Sequence, residues 1–416
     1  MTILHDYTLL LYNLTLIPMT FFSLLFIVLS VITLVSAQKK KKLPLPETLP
    51  FISVQIPSYN DPIAARCIQH CLRFDYPRNR YEIIIVDDST NKETQQLLRA
   101  FEKKNSGFIK YIHRDNRAGF KPGALKNAMK YTKGEIITVF DADWIPRKNF
   151  LKEIIRPFSD PKVAIVQTRQ GFYNHKTNFI TRFAAYTLMI YHTIVMPINN
   201  NANCVFFCGT AGAIRRNVFD KVGGWNTKSI TEDSDLSVRI LLKKYKTVYI
   251  DHATPSEVPD TFEGFIKQQM RWSYGNTRVF IDHAGHVLYK PGLTLKQRLM
   301  VLYITLGNII APVVVLMTFF GFAGWFVGEP TIMSLNDIVT FFSRFLLTVG
   351  FLMMGVVTLY KQKKAHEFKY LVASSFTIGI ILAVATSIAV IKAFFNSPLG
   401  WFCTPKTDNL KVAKED

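Results

Sequence analysis

The sequence predicts a mainly parallel α/β sheet domain framed by membrane-spanning helices, and three observations carry that expectation. An uncharged apolar run of about 30 residues opens the chain at 8–37, beyond the ~20 residues needed to cross a bilayer. From about residue 48 to 282, short β-branched runs alternate with amphipathic helical ones. After 282, long apolar stretches return.

The opening run, "TLLLYNLTLIPMTFFSLLFIVLSVITLVSA", exceeds the ~7–15 apolar residues of a signal-peptide core, and no convincing cleavage site follows. Residues 1–38 therefore read as an uncleaved anchor. The cationic stop "QKKKKLPLP" (38–46) places that end in the cytoplasm and the N-terminus outside. Strands are expected within "FISVQIPSYN" (51–60), "YEIIIVDDST" (81–90), "FIKYIHRDN" (108–116), "GEIITVFDAD" (134–143) and "KVAIVQTRQ" (162–170). Helical spacing marks "NKETQQLLRAFEKK", "GALKNAMKY" and "NFLKEIIRPF" between them. Near-continuous apolar strands separated by helices indicate a sheet covered on both faces, whose ligands bind beyond the strands' carboxyl ends.

The domain is expected to span 48–282 and to end in an amphipathic interface helix, followed by an interfacial segment at 283–299. A membrane region at 300–396 holds three apolar segments, at about 300–327, 338–360 and 369–395, before a tail at 397–416. "GEPTIMSLND" is acidic and reads as external; "YKQKKAHEFK" (360–369) is basic and reads as cytoplasmic. If the last segment crosses once, "WFCTPKT" (401–407) lies outside; if it is re-entrant, the tail stays inside.

The 416 residues are 49% hydrophobic and 13% aromatic, and carry a net charge of +20. That charge suits an anionic leaflet or phosphate-bearing substrates. No helix-turn-helix, zinc-finger or RNA-recognition signature is present, which argues against nucleic acid as a partner. The five cysteines are odd in number and form no secreted framework, so a reducing compartment is expected. The spacings Cys67/Cys71 and Cys204/Cys208 are longer than zinc knuckles use, and all four read as small buried hydrophobes.

Two acidic strand ends carry the first chemical signal. In "FDAD", Asp141 and Asp143 offer hard oxygens suited to Mg²⁺ or Mn²⁺ completed by substrate phosphates; helix and turn capping is the plain alternative. "VDDS" repeats the theme at Asp87 and Asp88. Clustered carboxylates repel unless something positive sits among them, and a metal nucleotide would serve. "RAGFKPGALKNAM" (117–129) makes a basic, glycine-flanked turn around Lys121 before a helix, able to face phosphate or simply solvent. "ITEDSDLSVRILLKKY" (230–245) concentrates acids at a helix start, either as caps or with Asp233 as a general base. In "QQMRW", Arg271 can clamp a diphosphate and Trp272 can stack a sugar, although Arg–Trp pairs also mark lipid interfaces.

In this order, the "DD" strand end, "DAD", "FFCGTAG", "TED" and "QQMRW" resemble the membrane-embedded family 2 glycosyltransferases, the group of cellulose, mannan and hyaluronan synthases. The resemblance covers about 48–282, and the flanking hydrophobic pattern also fits. "FFCGT" is close to what cellulose synthases carry, while "FKPGALKNAM" and the "GTAG" and "QQMRW" context also look like plant mannan synthases. It implies a GT-A, Rossmann-like cytoplasmic domain flanked by transmembrane helices. It also implies that Pro57, Tyr59 and Asp61 lie near the base and ribose, with Asp88 on the base and Lys121 on the nucleotide. Asp141 and Asp143 would hold the nucleotide sugar and its Mg²⁺ or Mn²⁺. Phe207, Cys208, Gly209 and Thr210 would line the acceptor terminus. Asp233, beside Glu232, would be the base; Gln268 would bind the nucleotide sugar, Arg271 would meet the departing diphosphate, and Trp272 the acceptor. "WFCTPKT" resembles the processive members' gating segment, with Thr404 and Lys406 near the nucleotide.

The implied reaction is an inverting transfer from a nucleotide sugar (a UDP-sugar such as UDP-glucose, with GDP-mannose as the other candidate) onto a growing β-linked polysaccharide at the bilayer. With about four apolar segments and no appended regulatory domain, the chain would form a narrow channel, by oligomerising if need be, or release a glycolipid. The competing enzyme reading is a glycolipid synthase adding hexose to diacylglycerol or ceramide. A non-catalytic transporter or scaffold would have lost a metal or base carboxylate, and none is missing.

Overall fold

The computed structural model describes residues 2–36, 43–328, 335–400 and 402. Thr404 and Lys406 lie outside the described residues. Helix α1 (Thr2–Val35) leads to β1 (Ile52–Ser58), α2 (Ala64–Cys71), β2 (Tyr81–Asp87), α3 (Lys92–Lys104), β3 (Ile109–His113), α4 (Phe120–Ala128), β4 (Ile136–Val139), α5 (Phe150–Ile155) and β5 (Val163–Phe172). A rod follows, made of α6 (Phe179–Ile190), a π-helical turn (Tyr191–Val195) and α7 (Met196–Asn201). Then come β6 (Gly212–Arg215), α8 (Arg216–Lys221), α9 (Glu232–Leu242), β7 (Lys246–Ser256) and α10 (Phe262–Leu288). The remaining helices are α11 (Leu295–Leu306), α12 (Ile310–Val327), α13 (Leu335–Thr348), α14 (Gly350–Lys361), α15 (Phe368–Phe376) and α16 (Ile378–Phe394).

The seven strands form one sheet in the order β3-β2-β1-β4-β6-β5-β7. Strand β2 shows why it is covered on both faces. Ile83 and Ile85 pack with Cys67, Ile68 and Leu98 on one side, while Ile84 and Val86 pack with Ala124 and Ala128 on the other. All four are fully buried, and truncating such a side chain to Ala costs about 2–5 kcal/mol. Strands β1, β2, β3 and β4 run parallel, and β6 runs antiparallel to both β4 and β5. The order reverses between β1 and β4, so the crevice beyond their carboxyl ends is the expected ligand site of such a sheet.

Two strands were not legible as strands. β6 has four residues, too few for a pattern, and β7 carries Asp251, His252 and Pro255. β7 is the last strand of the sheet, an edge position that tolerates proline and charge, and its outer side meets the 200–204 segment at Thr247 and Tyr249.

Among the described residues, three helical stretches are long and apolar enough to cross a membrane: Ile3–Val35, Phe179–Asn201 and Leu295–Val327. The second is an addition to the sequence reading, and it packs largely inside the protein. The segments expected at 338–360 and 369–395 are not straight spans. α13 and α14 bend by 60° at Val349, where the Gly350 N–H donates to Ser23 Oγ of α1 at 2.9 Å. The helix before Thr377 and α16 bend by 49°. Both ends of this last pair rest on the α/β domain. At its start, buried Glu367 accepts from Tyr186 Oη at 2.6 Å and pairs with Arg182; at its end, Arg278 of α10 donates to the Ala393 carbonyl at 3.3 Å. α10 runs through residue 282, and the expected 283–299 segment comprises its last turns and the first of α11.

Candidate active site

The site grows from the loops after β1, β2 and β4. Asn60, in left-handed conformation, stitches the first two together: its N–H donates to Ser89 Oγ at 2.7 Å, and its Oδ1 accepts from the Thr90 and Asn91 amides. Asp87 is buried and accepts from Tyr111 Oη at 2.7 Å. Asp88 is gripped in two-pronged fashion by Arg114 at 2.7 and 2.5 Å. Arg114 was missed in the sequence, where it is one of several cations after β3. Arg117 lies 3.3 Å over the Tyr59 ring in the same end of the crevice.

After β4 the chain turns, and the Asp141 N–H donates to Thr210 Oγ1 at 3.0 Å. Lys121 Nζ donates to Asp141 Oδ1 at 2.6 Å and to the Gly209 carbonyl at 3.1 Å. Asp143 is buried, and its Oδ2 accepts from the Glu257 N–H at 3.0 Å. Behind it, Arg66 donates to the Asp143 carbonyl and to Tyr173 Oη, which itself donates to Glu257. Arg66, Tyr173 and Glu257 carried no readable signal, because each is an ordinary residue until β5, β7 and α2 converge.

The 207–210 loop is pinned by Gln167, which accepts from the Cys208 N–H and donates to the Thr210 carbonyl. Gly209 has φ +74°, and a Cβ there would stand 3.0 Å from Asp233 Oδ2, so only glycine lets the loop pass the carboxylate unstrained. Asp233 and Glu232 begin α9. Asp233 Oδ1 accepts from the Ser234 N–H at 2.8 Å, and Ser237 Oγ, bound to the Asp233 carbonyl, accepts from the Phe207 N–H. α10 crosses the start of α9 at Gly275, where a Cβ would meet Thr231 Cγ2 at 2.3 Å, and this close approach sets Gln268, Arg271 and Trp272 over the crevice.

Electrostatics follow from burial and crowding. Burial, then repulsion from Asp233, pushes the Glu232 carboxyl up to about 7, against the pull of Lys121 and Arg271. Burial also raises Asp233, opposed by the Ser234 N–H, Lys121 and Arg271. Burial works against the Lys121 charge, yet Asp141, Glu232 and Asp233 together hold the ammonium above its ordinary value.

Two cavities meet here. The first, about 220 Å³, is lined by Pro57, Tyr59, Asp61, Asp88, Lys121, Asp141, Asp143, Thr210, Glu232, Gln268 and Arg271. The second, about 350 Å³, runs from Phe207 and Gln269 to Phe26, Tyr303, Phe351 and Met354 of the apolar helices. Cys208, Asp233 and Trp272 line both. Gly209 lines neither and meets Lys121 through its carbonyl. The cysteines at 67, 71 and 204 are buried thiols. Phe402, the described residue of 401–407, also lines the first cavity, and Lys267 Nζ lies 4.5 Å from its ring centroid.

A seven-stranded α/β sheet with paired carboxylates at its switch point, an acid-headed helix and an Arg–Trp pair on a crossing helix together define a GT-A glycosyltransferase. The chain belongs to glycosyl transferase family group 2, whose family model matches residues 136–384. It is 35% identical over 280 residues to probable glucomannan 4-beta-mannosyltransferase 7 of Oryza sativa subsp. japonica, covering 64% of this chain and 47% of that one. With probable glucomannan 4-beta-mannosyltransferase 9 of the same plant it shares 32% identity over 341 residues, 76% of this chain and 64% of the relative. The chain spans about half the length of the first of these relatives. The same fold occurs in the mannosyltransferase PcManGT from Pyrobaculum calidifontis, solved in complex with GDP-Man and Mn²⁺ (TM-score 0.65, 16% identity, 95% of this chain and 100% of that one).

Proposed function

We propose that this protein transfers a hexose, with inversion, from a nucleotide-hexose to a hydroxyl of a β-linked glycan at the membrane, extending that glycan processively. One observation carries the reading: Asp233, beside the Lys121–Asp141 pair, is the carboxylate shared by a charged cleft and a neutral cavity that reaches the apolar helices. The donor occupies the charged cleft, its base near Tyr59, Asp61 and Asp88 and its diphosphate near Lys121, Gln268 and Arg271. The acceptor occupies the neutral cavity. Asp233 takes the acceptor proton as that oxygen bonds to the sugar's anomeric carbon and the bond to the diphosphate breaks. Such a base contributes ~10²–10⁴-fold.

The donor set fits Mg²⁺ or Mn²⁺. Asp141 and Asp143 line one cleft, no group of three or more potential ligands exists among the described residues, and such ions are commonly held by one or two carboxylates plus substrate phosphates. When bound, the ion would offset charge on the leaving diphosphate.

The names of the plant relatives favour GDP-mannose as donor, with UDP-glucose next. Lysines at 39–42 after α1, and the contact of the basic 361–369 loop with the domain through Glu367, support a cytoplasmic domain and an external N-terminus. The resting of both ends of the 365–394 pair on the domain supports a re-entrant pair and a tail on the domain's side. The apolar wall of the second cavity favours one alternative, a lipid-borne acceptor.

Purified protein given radiolabelled GDP-mannose, UDP-glucose or UDP-GlcNAc with Mn²⁺, with and without lipid acceptor, tests this. The expected product is high-molecular-weight material degraded by a β-specific glycanase. Label recovered only as a single-hexose lipid would replace this reading with glycolipid synthesis, and no transfer from any donor would refute both.

A further inference from the structure

We propose that His192 positions the acceptor, its neutral imidazole hydrogen-bonding a hydroxyl of a sugar beyond the one that reacts; this assignment rests on the transfer reaction proposed above. His192 is only 2% exposed, and among the described residues neither ring nitrogen has a hydrogen-bond partner. Buried polar groups are nearly always satisfied, so an orphaned ring on a cavity wall points to a ligand group that completes it. His192 lines the neutral cavity together with Asp233 and Trp272, and it is absent from the lining of the charged cleft.

The backbone supplies a second observation. His192 sits in the five-residue π turn that interrupts the α6–α7 rod, and π turns inside helices occur frequently at functional sites. Tyr249 of β7 secures it: its hydroxyl donates to the His192 carbonyl at 2.9 Å, and the two rings stack at 6.0 Å.

Chemistry then selects the ligand. No carboxylate pairs with His192 among the described residues, and an unpaired buried charge is costly, so the ring is neutral. A neutral imidazole offers one donor and one acceptor. A sugar hydroxyl also offers both. A phosphate oxygen only accepts, and an acyl chain does neither.

The test uses full-length wild type, His192→Ala and His192→Asn in detergent, with GDP-mannose or UDP-glucose and matching β-1,4-linked mono- to pentasaccharides as acceptors. In the wild type, KM for the acceptor is expected to fall as the acceptor lengthens. His192→Ala should erase that advantage and raise KM for the longer acceptors about 10-fold, the scale of one lost hydrogen bond. Donor KM and acceptor-independent donor hydrolysis should stay at wild-type values, and His192→Asn should recover part of the acceptor affinity. Unchanged acceptor KM in His192→Ala, or donor KM and melting temperature moving along with it, would overturn the assignment. If the wild type transfers normally and only the His192 dependence is missing, this assignment alone falls; if the wild type transfers to no acceptor, the reaction falls with it.

Discussion

Asp88, Asp141, Asp143 and Glu232 line the charged cleft beside Arg117, Lys121 and Arg271, whereas the cavity beyond Asp233 is walled by Tyr191, His192, Asn276 and Asn308 and by apolar rings of the helical region. Phe26 closes that wall edge-on against Tyr303 and Phe351 at 6.5 and 6.1 Å. The difference follows from what each cavity must stabilise. On the proposed reading, a leaving diphosphate gains negative charge in the first cavity as the bond breaks, so fixed cations in that buried site stabilise it strongly. An acceptor stays neutral until its proton leaves, and it is selected by shape and hydroxyl hydrogen bonds.

That contrast can be broken at its shared residue first. Asp233→Asn should lower turnover about 10²–10⁴-fold, while donor affinity by calorimetry stays close to wild type. A loss of donor binding would instead make Asp233 part of the donor cleft alone. Next, Arg271→Ala should cost about 10²–10³ in kcat, the scale of removing one charge-stabilising donor, and leave acceptor KM unaltered. Chelation with EDTA should stop transfer, and added Mn²⁺ should restore it in wild type but not in Asp141→Asn. A rise of acceptor KM in either test would blur the division between the cavities.

The helices that wall the second cavity are tied to α6 at Glu367, and Tyr186→Phe removes one short bond to that buried carboxylate. The expected cost is about 1.5–3 kcal/mol, seen as a lower melting temperature and a weaker acceptor response with donor KM intact. The smallest effect is a pH shift. As the proposed base, Asp233 must be ionised; burial holds its pKa above the ordinary carboxylate value, and the Lys121 charge lowers it. Activity is therefore lost as pH falls through that pKa. In Lys121→Met the opposing charge is gone, so the acid limb of the kcat profile should move to higher pH.

Which parts of this were legible in the sequence follows from how local each signal is. β1 to β5 announced themselves through β-branched runs, most clearly in "YEIIIVDD", where a strand buried on both faces is nearly continuously apolar. "FDAD", "TED" and "QQMRW" were legible because each packs its chemistry into a few consecutive residues. Their partners were not. Arg114 on Asp88, Glu257 against Asp143 and His192 in its π turn acquire meaning only when distant elements converge. The bends at Val349 and Thr377 were hidden for a related reason, since hydropathy reports apolar length and says nothing of direction. The contacts at both ends of the last apolar pair, which support its re-entrant reading, likewise join residues far apart in sequence.

Stereochemistry tests the single-displacement reaction at Asp233 most directly. With an α-linked nucleotide-hexose and a defined oligosaccharide acceptor, proton NMR of the product reports the anomeric configuration of the new bond. One base and no covalent sugar intermediate predict a β linkage throughout. An α linkage would mean retention, and would require a different chemical role for Asp233.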